Sequence, residues 1–196
     1  AIVVTALGTA QNKASADPWK PFFADITLAA GEMLFLVLAS DSATITSVKW
    51  NALNMTIDIA VGSTAVETRI ISYYSAGGCT GAVVIDWGAT VPVAMAVALY
   101  KASGLASSAQ FDKYSTGTGT STTPSSGQTA ALAQADELLI GGIGTEGPDG
   151  DAAGTWDAGA NQATDNNQRL GTTGGGAASN ITVASATKIV SATTGG

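Results

Sequence analysis

The chain has 196 residues, enough for one sizeable domain and a tight fit for two. Hydrophobic residues make up 45% and charged residues 12%, so a core can form while the charge that keeps a chain disordered is missing. With a net charge of −7, only 8 Lys and Arg scattered along the chain, and no His, there is no basic stripe for phosphates, no Ser-His-Asp or Cys-His nucleophile system and no ordinary zinc site.

Residues 1–25 read as an extended N-terminal arm whose aromatic anchors, Trp19, Phe22 and Phe23, are set among small residues. Aromatic side chains in such a setting are what buries into a partner. From Ile26 onward, aliphatic segments alternate with turn residues at short spacing, the signature of a sandwich or barrel. ITLAA (26–30), MLFLVLAS (33–40), TITSVKWNA (44–52), MTIDIAVGS (55–63), VETRIISYYS (66–75), CTGAVVIDW (79–87) and VPVAMAVALYKASG (91–104) are the predicted strands. In 55–63 the odd positions Met55, Ile57, Ile59 and Val61 are expected on the core face. The apolar runs fall short of the roughly 20 residues that cross a bilayer, so they read as buried strands with no membrane role.

STGTGTSTT (115–123) carries no charge and alternates Thr or Ser with Gly, which predicts an exposed strand, with Pro124–Gly127 as the turn after it. Leu138–Ile143 follows as a strand, and LAQADELLI (132–140) echoes LAAGEMLFL (28–36). The glycines of GGIG (141–144) lack the Lys-Ser/Thr of a phosphate loop and read as turns or bulges. Residues 147–176 predict a long Gly-rich loop within the domain, of the kind that binds something or packs on a neighbour. ITVA and KIVSA at the end suggest two short strands.

Without histidine, chemistry would fall to paired carboxylates, and no two acids here are held at a fixed separation by the pattern. The chain therefore reads as non-enzymatic and without a cofactor. Glu146, Asp149, Asp151 and Asp157 could offer oxygens to Ca²⁺, although the spacing lacks the EF-hand glycine and terminal Glu. Trp156, with Asp149, Asp151, Asp157 and Asn161 around it, is the alternative glycan site, Trp156 being the tryptophan that lies in polar loop sequence. Cys79 is the lone cysteine and reads as a small packed side chain. Asn54-Met-Thr56 and Asn180-Ile-Thr182 match the glycosylation acceptor pattern.

Val48-Lys49-Trp50-Asn51-Ala52-Leu53-Asn54-Met55, the aromatic-rich Ile71-Ser72-Tyr73-Tyr74, the strand Gly81-Ala82-Val83-Val84-Ile85 and the acid-initiated Asp136-Glu137-Leu138-Leu139-Ile140 together resemble a β-sandwich module of bacteriophage virion proteins and some bacterial surface proteins. The resemblance spans about residues 26–145 and departs from the pattern at Ala52, where a glycine is usual. It implies an all-β fold, an antiparallel, jelly-roll-like β-sandwich over 26–196, and a structural role in a virion as a capsid decoration or accessory protein. Its expected partners are copies of itself and other virion proteins, the major capsid or tail proteins, with no nucleic acid. The alternative is a carbohydrate- or receptor-binding module of the tail-fibre or adhesin type, Ca²⁺-dependent if the acidic loop binds the ion.

Overall fold

A computed structural model describes residues 1–14, 17–21, 24–41, 43–108, 110–148, 156, 162–191, 193 and 195. Among these it is all-β: β1 Val3–Asn12, β2 Ile26–Leu28, β3 Glu32–Ser40, β4 Ile45–Trp50, β5 Leu53–Asn54, β6 Thr56–Gly62, β7 Glu67–Ser75, β8 Cys79–Gly81, β9 Val83–Trp87, β10 Met95–Ser103, β11 Glu137–Glu146, β12 Asp165–Gly171 and β13 Ile181–Val190. The main sheet runs β1-β10-β3-β7-β6, every pair antiparallel. Facing it lie β2-β8 and β5-β4-β9, where β8 and β9 form one strand broken at Ala82. The chain thus crosses repeatedly between the two sheets, with β4–β5 and β6–β7 as hairpins within one sheet, the winding of a jelly roll.

The core explains why the longest apolar runs do not alternate. Leu34, Leu36 and Leu38 of β3, with Met95, Val97 and Leu99 of β10, point into a cluster with Val48, Trp50, Val83 and Ile85 of the facing sheet. The intervening Phe35, Val37 and Ala39, with Ala96, Ala98 and Tyr100, point the other way, toward Ile140, Ile181 and Val183. A third sheet, β11-β13-β12, covers that second face. β3 and β10 are therefore buried on both sides, and strands in that position read as continuous aliphatic runs. The antiparallel sandwich holds, with a layer added to the two sheets expected.

The third layer sits close because of its glycines. A Cβ on Gly142 would lie 2.6 Å from Val37 Cγ1, and one on Gly144 would lie 2.9 Å from the Ala39 Cβ and inside contact of Thr68 Oγ1. GGIG is thus not a turn or bulge: it is strand, glycine there allowing sheet to approach sheet. Tyr100 ties the layers together: its ring stacks on Phe35 at 4.9 Å, and its hydroxyl lies 2.6 Å from Ser185 Oγ and donates to the Asn166 carbonyl.

Several expected elements differ. Residues 3–12 do not form an arm: they pair along the whole of β10, with an irregularity at Gly8, where φ is 126°. Residues 115–123 form no strand. The loop expected over 147–176 contains β12 in its second half, and the two short C-terminal strands are one strand, β13, at the centre of the third sheet. In β6 the alternation breaks: a register shift between Ile57 and Ile59 leaves Ile57 41% exposed while Met55 stays buried. That shift also half-buries Asp58, whose pKa is raised by desolvation against the pull of a hydrogen bond from Ser72.

For Asp58 the folded pKa lies above the unfolded one, so the ionised carboxylate is disfavoured by folding. Its cost is absent below the ordinary value of 3.8 and grows as pH rises through the folded pKa. Asp58→Asn should therefore raise the melting midpoint at neutral pH, the gap closing in acid. Thermal melts across that range check this, and a gap that widens in acid would contradict it.

The echo between 28–36 and 132–140 has a structural counterpart shifted by one residue. Glu32 accepts the Ala29 N–H at 2.7 Å after Gly31 at φ 83°, and Glu137 accepts the Gln134 N–H at 3.1 Å after Asp136 at φ 60°. Both are the same turn, launching the buried β3 in one case and the half-buried β11 in the other. The Ala29 bond, and then Lys101, hold the Glu32 carboxyl below its usual value.

Candidate interaction surface

Trp19 is the one predicted arm anchor among the described residues, and the chain's own core takes it. It is 6% exposed, packed in the cluster of Trp50, Ile85 and Trp87, and its backbone exchanges two 2.8 Å hydrogen bonds with Ile85. Asp17 Oδ1 supports the same stretch by accepting from the Trp87 N–H at 2.9 Å. An indole sealed this way has no surface to offer a partner, which corrects its assignment as a partner anchor. Phe22 and Phe23 lie outside the described residues.

Of the alternative glycan site, Trp156 is described, while Asp149, Asp151, Asp157 and Asn161 lie outside the described residues. Trp156 is half-buried, its ring seated over Gly141, whose added Cβ would come within 3.1 Å of Cζ3. Glu146 is exposed at the end of β11. Among the described residues, no three His, Cys, Asp or Glu side chains gather closely enough to hold a metal ion. Asn180 is only 1% exposed and donates to the carbonyls of Gly174 and Gly176, so it is no glycan acceptor in the folded chain. Cys79 is half-buried, packs against the main core and accepts a hydrogen bond from Asn51.

What stands out instead is the connection between β10 and β11, residues 104–136, which contains no strand among its described residues. Connections of that length in a compact domain are uncommon unless they bind something or pack on a neighbour. It is fastened at its root, where Asp112 accepts the Ala133 N–H at 2.7 Å, and near its end, where the buried Leu132 donates to Thr193 at 2.9 Å. Lys113 and then the Ala133 N–H hold the Asp112 carboxyl below its usual pKa. Between these points the chain doubles back, Ser115 Oγ meeting the Ser126 carbonyl. Residues 116–126 are all exposed.

At the root stand two aromatic side chains with little cover: Phe111 is 45% and Tyr114 61% exposed, their rings 5.9 Å apart. Sequence reasoning passed over them, because exposure of an aromatic is set by what fails to fold over it.

A second feature lies at the edge of the sandwich. The β4–β5 hairpin ends with Met55 N–H donating to Val48 at 2.8 Å, and from Thr56 the chain leaves β4 to pair with β7. The two sheets part there around a cleft of about 370 Å³ lined by Ala43, Ile45, Ile57, Ala60, Glu67 and Arg69. Arg69 is 4% exposed; it donates to Ser40 Oγ at 3.1 Å and to the Ala43 carbonyl at 2.6 Å, and pairs with Glu67 at 2.5 Å. Burial draws its pKa down, against the attraction of Glu67. A guanidinium satisfied by its own neighbours supplies neither a nucleophile nor an acid–base pair.

Comparison with family models, with curated proteins and with solved structures found no match to this chain.

Proposed function

We propose that this chain is a non-enzymatic structural subunit of a phage virion, coating or decorating the capsid and acting through contact with copies of itself and with other virion proteins. The observation that carries the reading is the excursion over 104–136, exposed and uncharged through residues 116–126, with its uncovered Phe111–Tyr114 pair, set on a jelly-roll body. Apolar aromatic surface rimmed by small polar residues is suited to burial in an interface. Many identical copies turn weak single contacts into firm attachment. The resemblance of the strand motifs to virion sandwich modules points the same way, and the low charge of the surface suits close packing. Quantitative mass spectrometry of purified particles should find the chain in fixed proportion to the major capsid protein; its absence from particles would overturn the reading.

A second reading is favoured by Trp156, whose indole rests on the backbone of Gly141 as a ring can when it is to meet a sugar face. It expects glycan-array binding that Trp156→Ala abolishes. Binding to no glycan, or binding that survives the substitution, would set it aside.

A further inference from the structure

Two strand edges face the cleft between β4 and β6 without partners. β6 is the last strand of the main sheet, and among the described residues its outer edge meets no other backbone. β4 is paired by β9 on one side and by β5 only at Lys49 and Trp50 on the other, so the stretch at Ile45–Ser47 is open toward β6. Open edges are templates for a further strand. The open cleft between them is lined by Thr44, Ile45, Ile57, Ala60 and Thr90, and Arg69 and Glu67 in it are paired with each other. An occupant must therefore be extended, uncharged and small in side chain.

The chain carries such a segment. Residues 115–123 include no charge, alternate threonines on one face with Ser115, Gly117, Gly119, Ser121 and Thr123 on the other, and make no backbone–backbone hydrogen bond of their own. β-branched, alternating sequence left out of any ladder is a strand lacking its neighbours. We propose that residues 115–123 of one copy insert between β4 and β6 of a second copy, pairing with both edges and closing the sandwich. The contacts given up are slight: Ser115 with Ser126, Gly117 against the Ser125 carbonyl, and the local bonds between Ser121 and Thr123. The cleft lining, with Arg69 paired to Glu67, carries no net charge and neither does the strand, and the 41% exposed Ile57 becomes covered. This inference rests on the proposed role in assembly and names how copies join.

The test uses the full chain with Cys79→Ser to remove the native thiol. A chain bearing Ile57→Cys is mixed with one bearing Thr118→Cys under mild oxidation. A disulfide-linked dimer is expected, well above that formed when Val93→Cys, on a loop and more exposed at 54%, replaces Ile57→Cys. Yields equal to the Val93 control would overturn the proposal, as would closure within one dilute chain that carries both cysteines. Analytical ultracentrifugation supplies an independent readout: the unmodified chain should self-associate, and a chain lacking 116–125 should sediment as a monomer. An unmodified chain that stays monomeric yet enters particles would overturn strand insertion and leave the assembly role standing.

Discussion

Trp50→Ala is expected to cost about 3–5 kcal/mol, the range for truncating a large aromatic in a closed core. Trp50 is fully buried where β4 meets the main sheet, packed on Tyr73 with ring centroids 5.5 Å apart. Its removal leaves a void bounded by both sheets, which cannot collapse without moving two ladders. Among the described residues the Trp50 Nε1–H meets no acceptor, so the ring contributes by packing and against a standing desolvation cost. Trp50→Phe should accordingly lose much less than Trp50→Ala, since it removes the unpaired donor with part of the volume. Denaturant unfolding of both variants checks the order; equal losses would mean that the indole nitrogen has a partner and that hydrogen bonding holds this end of the sandwich.

Gly142→Val should be strongly damaging although the position lies outside the main core. The wild-type position has no room for a Cβ, with Val37 Cγ1 at 2.6 Å from where it would stand, and valine adds two further methyl groups. Overpacking of this kind typically costs about 1–3 kcal/mol and occasionally more. Here Val37 belongs to a strand buried on both faces, so it has nowhere to retreat and the upper end is expected. The strain falls between the third sheet and the main one, and β11 has no covalent staple to hold it. Amide exchange should rise in β11, β12 and β13 before it rises in β3 and β10. Gly77→Val is the matched control, since an added Cβ there meets nothing within 4 Å. Uniform acceleration across all strands would show that the layers unfold as one unit.

The legible parts of the fold are those whose cause is local. MLFLVLA and the aliphatic stretch before Lys101 announce themselves as buried strands through composition alone, and the turn at Gly31 is written in the glycine and the following glutamate. β12 could not be read from NNQRL because it is a polar strand at the edge of the outer sheet, held there by β13 and by the Gln168 side chain donating to the Leu99 carbonyl. The alternation of 115–123 is a strand pattern, yet among the described residues the segment pairs with no strand of its own chain, so the propensity goes unused. Trp19 reads as an anchor because the rest of residues 1–25 offers few large apolar side chains to cover it; the pocket beside Ile85 that accepts it is built from residues far along the chain. The cleft over Arg69 was equally invisible, since it arises where the chain changes sheets at Met55. Nothing in the residues at 55–57 alone dictates which of two sheets β6 joins.

In the proposed role the protein works through contact surfaces, and the 104–136 excursion carries the decisive one. Ser115 and Ser126 touch, so residues 116–125 can be excised with the flanking ends already adjacent. The measurement is a competition in which the shortened and full-length chains, present in equal amounts, are scored by mass spectrometry for incorporation into particles. Both should melt at the same temperature, and the shortened chain should be excluded. Equal incorporation, or turnover of any substrate that the shortened chain has lost, would contradict that role.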